Sequence, residues 1–69
     1  MRISARNQIK GTVVEVTKGA TTSHVRVDNG NGQVVTSSIT NEAVDELGIK
    51  AKGQVIVVIK ASDVMIAVN

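Results

Sequence analysis

The chain has 69 residues, no cysteine, one histidine and a formal net charge of +2. Disulfides and thiolate metal sites are therefore excluded, and a single histidine is too few for a zinc site. Because so short a chain buries little core and has no Phe, Tyr or Trp, we expect one domain over residues 1–69 that gains stability from partner subunits.

The first half of the chain is typical of strands. Valine, isoleucine and threonine make up 26 of the 69 residues, and β-branched side chains favour extended backbone. Residues 7–18 predict one long strand that ends in a turn at Gly19. Residues 21–28 alternate between apolar and polar side chains and predict a half-buried strand. The two Asn-Gly pairs at 29–32 then predict a hairpin that leads into a third strand over about 33–40.

The second half contains the only helical stretch, from Thr40 to Ile49, which Thr40 or Asn41 can cap. An almost continuous apolar strand follows over 54–60, and a last short strand is predicted over 64–68. The order of elements predicts an all-β fold, a small five-stranded OB-like Greek-key barrel with one short helix between strands 3 and 4.

Several classes of function are disfavoured by the residues present. The one histidine, His24, lies mid-strand without a nucleophile pattern, the carboxylates are scattered, and no nucleotide-binding glycine loop occurs, so we expect no enzyme and no metal ligated directly by side chains. Single-stranded nucleic acid is bound on such barrels by aromatic stacking, for which this chain has no residue. No segment approaches the ~18 apolar residues of a membrane span, and no signal peptide is visible, so a cytoplasmic protein without membrane partners is expected.

Binding of a small oxyanion fits the polar residues best. The run from Ser4 to Gln8 combines a hydroxyl, a guanidinium and two amides, and a guanidinium presents a planar fork of donors to an oxyanion. Lys60 offers a second cation beside the hydroxyl of Ser62, and Thr40 marks a helix start. The alternative is that Arg6 and Lys60 are ordinary surface cations and that Thr40 is only a helix cap.

The run Ile3–Gly11 resembles the opening signature of the molbindins, the small molybdate-binding proteins of bacteria. The resemblance continues in order and spacing through 38–40, 46–49 and 58–65, so it covers the whole chain. It implies a homo-oligomer, a hexamer built as a trimer of dimers, which binds molybdate or tungstate and no organic cofactor.

The resemblance also implies which residues hold the anion. Ser4, Arg6, Lys60 and the backbone amide of Ala61 would come from one subunit, and Thr40 would come from a neighbour. A second oxyanion site would lie in the turn formed by Lys18, Gly19 and Ala20. Further candidate contributors are Asn7, Ser38, Asn41, Ala43 and Ser62. Many family members carry serine where this chain has Ala43, and alanine has no hydroxyl to donate.

Together these features predict a protein that reversibly binds molybdate or tungstate at subunit interfaces, for intracellular molybdenum storage and homeostasis. Storage is favoured because 69 residues leave no room for a DNA-reading domain or an ATPase. The alternative is a ligand-free structural oligomerisation module of a larger assembly.

Overall fold

The computed structural model describes all 69 residues and consists mainly of one antiparallel sheet. The elements are β1 (Asn7–Lys18), β2 (Thr22–Asp28), β3 (Val34–Thr40), α1 (Asn41–Leu47), β4 (Gln54–Ile59) and a 3₁₀ turn (Ala61–Asp63). The strands lie in the order β3-β2-β1-β4, with every pair antiparallel. Three consecutive strands followed by a fourth that returns beside the first form a Greek key. The predicted all-β class is confirmed.

The long strand β1 changes partner halfway along its length. Its residues Asn7–Thr12 pair with β4, and its residues Thr12–Lys18 pair with β2. At the changeover, the register with β2 shifts between Val13 and Glu15, which marks a β-bulge. Because a bulge bends a strand and increases its twist, the sheet curls into a half-barrel. β3 and β4 do not pair with each other, so the half-barrel stays open between them.

The core of the half-barrel is small. Only four apolar side chains are buried, each 1–3% exposed: Val13, Val25, Val27 and Val44. The alternation of β2 directs two of these inward, and Val44 is the one buried residue of α1. The apolar side chains packed against this cluster remain partly exposed. Much of the apolar surface of the chain is therefore still accessible in a single copy.

The helix α1 follows β3 directly and begins with a capping hydrogen bond. Thr40 Oγ1 accepts from the backbone N–H of Ala43 at 3.0 Å, and Gly48 ends the helix in the left-handed conformation, with φ of 64°. Glycine suits that position because it has no Cβ to clash there. No helix of the chain has the length and apolar character needed to cross a membrane.

The predicted fifth strand, over 64–68, is not confirmed. Residues 64–69 form no regular structure, and Met65, Ile66 and Val68 are between 86% and 92% exposed. A strand needs a neighbouring backbone to satisfy its N–H and C=O groups, and after the 3₁₀ turn this segment meets no strand edge of its own chain. The sheet of one copy therefore has four strands.

Candidate functional site

The start of β1 and the end of β4 bring one group of predicted site residues to the same end of the sheet. Asn7 pairs with Ile59, and the Asn7 side-chain amide donates to the Ile59 carbonyl at 3.2 Å. Arg6 directly precedes Asn7 and Lys60 directly follows Ile59, so both lie next to this pair. Ser4 and Ala61 flank Arg6 and Lys60 in sequence. We call residues 4–7 and 59–62 together the Arg6 end.

The Arg6 end carries two cations without an acidic partner. Arg6 and Lys60 are exposed, and neither forms an ion pair within the chain, where the only ion pairs are Lys18–Asp45 and Arg26–Glu15. The backbone N–H of Ala61 likewise has no acceptor, because the 3₁₀ turn uses only the N–H groups of Asp63 and Val64. This end is therefore a concentration of unpaired positive charge and free donors, which suits an anion.

Thr40 lies at the opposite end of the sheet. It pairs with Thr22 at the start of β2, and β2 begins beside the last residue of β1, Lys18. The two ends of β1 are separated by eleven residue steps, which is roughly 36 Å measured along the strand. We call Lys18–Thr22 and Thr40–Ala43 together the Thr40 end. Within one copy, Thr40 is therefore far from Arg6 and Lys60.

The Thr40 end is held by a partly buried hydrogen-bond network around Asn41. Ser23, which is 0% exposed, donates through Oγ to Asn41 Oδ1 at 2.5 Å. The Asn41 amide nitrogen donates to the Gly19 carbonyl at 3.0 Å, and its backbone N–H donates to the Thr21 carbonyl at 2.9 Å. The side chain of Asn41 therefore joins the start of α1 to the β1–β2 turn. Ser23 was not among the predicted site residues, although a serine on the inward face beside two valines was the signal that would have indicated it.

The predicted second site at Lys18, Gly19 and Ala20 has several of its groups occupied. The Lys18 ammonium forms an ion pair with Asp45 at 2.8 Å, and the Gly19 N–H donates to the Thr22 carbonyl at 2.7 Å. Of the Gly19 and Ala20 backbone amides, only that of Ala20 lacks an acceptor in the chain. In this conformation, the ammonium group of Lys18 is already paired with Asp45 and is therefore not free to bind an anion.

The capping bond of Thr40 leaves part of its side chain available. Its oxygen accepts from the Ala43 N–H, so its hydroxyl hydrogen is free to donate outward. The remaining candidate contributors divide between the two ends: Asn7 and Ser62 at the Arg6 end, and Ser38, Asn41 and Ala43 at or beside the Thr40 end. The full predicted set therefore requires the Arg6 end of one copy and the Thr40 end of another.

The main concave regions of a single copy lie elsewhere. One is lined by Lys10 and residues 54–56, and the other is an apolar groove of about 190 Å³ inside the half-barrel. No group of three or more histidine or acidic residues is arranged to hold a metal ion.

Comparison with known proteins gives concordant matches over nearly the whole chain. The TOBE domain model matches residues 3–66. The chain is 47% identical to molybdenum-pterin-binding protein 1 of Clostridium pasteurianum over 66 residues, which cover 96% of this chain and 97% of that protein. Its fold matches MopII from Clostridium pasteurianum with a TM-score of 0.91 and 43% identity, covering 97% of this chain and 100% of that one. It also matches the cytoplasmic molybdate-binding protein ModG with molybdate bound, with a TM-score of 0.90 and 43% identity, covering 94% of this chain and 46% of that one.

Proposed function

Because the chain belongs to the TOBE-domain family, among the small molybdenum-pterin-binding proteins or molbindins, we propose that it reversibly binds molybdate at a site shared by two copies of itself. The observation that carries this proposal is the Arg6 end, where Arg6 directly precedes β1, Lys60 directly follows the neighbouring strand β4, and neither has an acidic partner. Relatives of this chain include a protein described with molybdate bound, which supports the same ligand here.

The residues of the Arg6 end match the chemistry of a tetrahedral dianion. The guanidinium of Arg6 presents parallel N–H donors to two oxygens, and the Lys60 ammonium supplies a second, compact charge. The Ser4 hydroxyl and the unpaired Ala61 N–H add neutral donors. Two positive charges balance the two negative charges of the anion, so the complex is close to neutral and is bound with little residual repulsion. Tungstate has the same charge and shape, and it is expected to bind in the same place.

The donor at the far end of the chain supports a site between subunits. Thr40 lies beside the end of β1 that is opposite to the Arg6 end, so in the proposed site its hydroxyl comes from another copy. We propose a homo-oligomer, specifically a hexamer built as a trimer of dimers, in which each Arg6 end faces a neighbour's Thr40 end.

The exposed apolar surface also supports assembly. The inner groove of the half-barrel is lined by nine apolar residues and Ser37, and the apolar side chains of the segment 64–68 are exposed. Both features disfavour an isolated copy in water. We propose that this segment forms its strand on the open sheet edge of a partner copy.

A bound pterin is less well supported than the bare anion, although the names of the relatives include this group. A pterin is a flat heteroaromatic ring system, and proteins commonly hold such rings by stacking on aromatic side chains. This chain has no aromatic residue apart from the one histidine. We therefore propose molybdate without an organic cofactor, bound by a non-enzymatic cytoplasmic protein for storage and homeostasis of molybdenum.

Isothermal titration with molybdate, tungstate and sulfate tests the proposal. We expect micromolar or tighter binding of the first two to the unaltered protein. Arg6→Ala should weaken molybdate binding by at least roughly tenfold, because hydrogen bonds to charged groups contribute about 1.5–3 kcal/mol. Arg26→Ala is the matched control, since Arg26 lies on the outer face of β2 beside Glu15.

Two results would contradict this function. Equal loss of affinity in the Arg6→Ala and Arg26→Ala proteins would remove the Arg6 end as the site. An oligomer of the unaltered chain that binds none of the three anions would favour the alternative, a ligand-free oligomerisation module.

A further inference from the structure

The loop between β2 and β3 contains both Asn-Gly sequences of the chain, Asn29-Gly30 and Asn31-Gly32. In such a pair, the backbone nitrogen of glycine can attack the side-chain carbonyl carbon of the preceding asparagine, because glycine has no side chain to obstruct the approach. The reaction needs an asparagine amide that is free to rotate and a glycine nitrogen that is free of other bonds. The two pairs differ in both respects.

In the first pair, both reacting groups are held. Asn29 Oδ1 accepts from the Asn31 N–H at 2.9 Å, and Asn29 Nδ2 donates to Gln33 Oε1 at 3.1 Å. The Gly30 N–H, the nucleophile for this pair, donates to Asp28 Oδ1 at 2.7 Å. Asn29 is also partly buried. Attack at Asn29 therefore requires several hydrogen bonds to break first.

In the second pair, neither reacting group is held. The side chain of Asn31 is exposed and forms no hydrogen bond, and the Gly32 N–H has no acceptor in the chain. Gly32 also has a φ of 81°, a conformation open to glycine. The same short loop therefore presents one protected and one unprotected copy of the same chemical sequence.

We propose that Asn31 is a site of spontaneous deamidation and that the folded loop protects Asn29. A bond forms between the Gly32 nitrogen and Asn31 Cγ, the glycine N–H proton passes to solvent base, and the Cγ–Nδ2 bond breaks as Nδ2 takes a proton from solvent and leaves as ammonia. Water then opens the resulting succinimide at either carbonyl, which yields aspartate or isoaspartate. No oxidant or reductant is needed. The Asn31 N–H that bonds Asn29 takes no part in the reaction, whereas the isoaspartate product has a main chain that is one carbon longer at this position.

The experiment uses the unaltered protein, incubated at 37 °C in mildly alkaline buffer and sampled over weeks by peptide mass spectrometry. Folded protein should deamidate at Asn31 at least roughly tenfold faster than at Asn29, since the hydrogen bonds that hold Asn29 must break before it reacts. The same protein in concentrated urea should deamidate at both positions at similar rates, because both sequences are then equally free. Gln33→Ala should raise the rate at Asn29 and leave Asn31 unchanged.

The proposal would be overturned by equal rates at the two asparagines in the folded protein, by a faster rate at Asn29, or by no deamidation at either position while the urea-treated sample reacts. Faster deamidation at Asn31 than at Asn29 in urea would also count against the proposal, because the difference in rate would then come from the local sequence and not from the fold.

Discussion

The hydroxyl of Thr40 has two hydrogen-bonding roles that do not compete. Its oxygen accepts from the Ala43 N–H and so caps α1, while its hydrogen remains free to donate. The structure therefore supports the capping role considered from the sequence, and the proposed contact with an anion is compatible with it. A substitution that keeps the acceptor and removes the donor separates the two roles.

Thr40→Asp is predicted to keep the cap and abolish anion binding. An aspartate caps a helix about as well as threonine, so the unfolding temperature without ligand should change little. Its negative charge faces the proposed dianion, so molybdate should no longer raise the unfolding temperature. Thr36→Asp, which adds the same charge at an exposed position in the middle of β3, is the control. A normal molybdate response in the Thr40→Asp protein would exclude Thr40 from the site.

Ala43→Ser is predicted to strengthen anion binding. The residue follows Thr40 by three positions in the first turn of α1 and is only partly buried, so a hydroxyl there has room to donate. One added hydrogen bond to a charged group contributes about 1.5–3 kcal/mol, which corresponds to roughly tenfold or more in affinity. Titration calorimetry measures the gain, with Ala51→Ser in an exposed turn as the control. An unchanged dissociation constant would mean that the Ala43 position lies outside the site.

At the level of elements, β1 organises the fold because its first half pairs with β4 and its second half pairs with β2. At the changeover, Thr12 pairs with Asp28 at the end of β2, and Gly11 lies close to the last residues of β2, Val27 and Asp28. A Cβ at Gly11 would lie 2.5 Å from Val27 Cγ1 and 2.6 Å from the Asp28 carbonyl oxygen. Such contacts do not occur without movement, and the backbone oxygen cannot rotate away. The absence of a side chain at Gly11 therefore permits the half-barrel to curl.

Gly11→Ala is predicted to destabilise the protein by about 1–3 kcal/mol, the range for overpacked sites. In a domain of this size the unfolding temperature should fall by at least about 4 °C. Gly53→Ala serves as the control, because the atom nearest to a Cβ at Gly53 would be the Lys50 carbonyl oxygen, at 3.0 Å. Thermal unfolding followed by circular dichroism compares the two. An equal or larger fall in the unfolding temperature of the Gly53→Ala protein would contradict the predicted clash at Gly11.

Considered as a whole molecule, a single copy is incomplete in two respects. Its half-barrel is open between β3 and β4, and the segment 64–69 lies outside any sheet. Only six residues of 69 are buried, although 42% of the chain is apolar. Association with further copies would cover both the inner groove and the exposed segment, so folding and assembly are expected to be coupled.

Deletion of residues 64–69 is predicted to prevent or weaken the proposed oligomer. The truncated chain loses the apolar side chains proposed to form a strand on a partner, so analytical ultracentrifugation at micromolar concentration should show smaller species than the unaltered protein. Removal of Asn69 alone should leave the assembly unchanged, because the exposed apolar residues remain. An intact oligomer of the truncated chain would exclude this segment from the interface.

The sequence predicted most elements of the fold because local signals are strong in this chain. The alternation of β2, the Asn-Gly turn and the cap at Thr40 all correspond to structure at the expected positions. The predicted fifth strand over 64–68 is not confirmed, because a short apolar run indicates strand-forming side chains and says nothing about which backbone supplies the hydrogen bonds. The ion pair of Lys18 with Asp45, 27 residues away, depends on tertiary packing that no local pattern contains.

The placement of the two half-sites at opposite ends of β1 has a consequence for stoichiometry. In the proposed arrangement, each complete site uses the Arg6 end of one copy and the Thr40 end of another. An open row of copies always leaves one end of each kind empty, whereas a closed ring or a reciprocal pair leaves none and holds one such anion per chain. Anion binding therefore favours closure, and the number of anions held would report the geometry of the particle as well as its capacity.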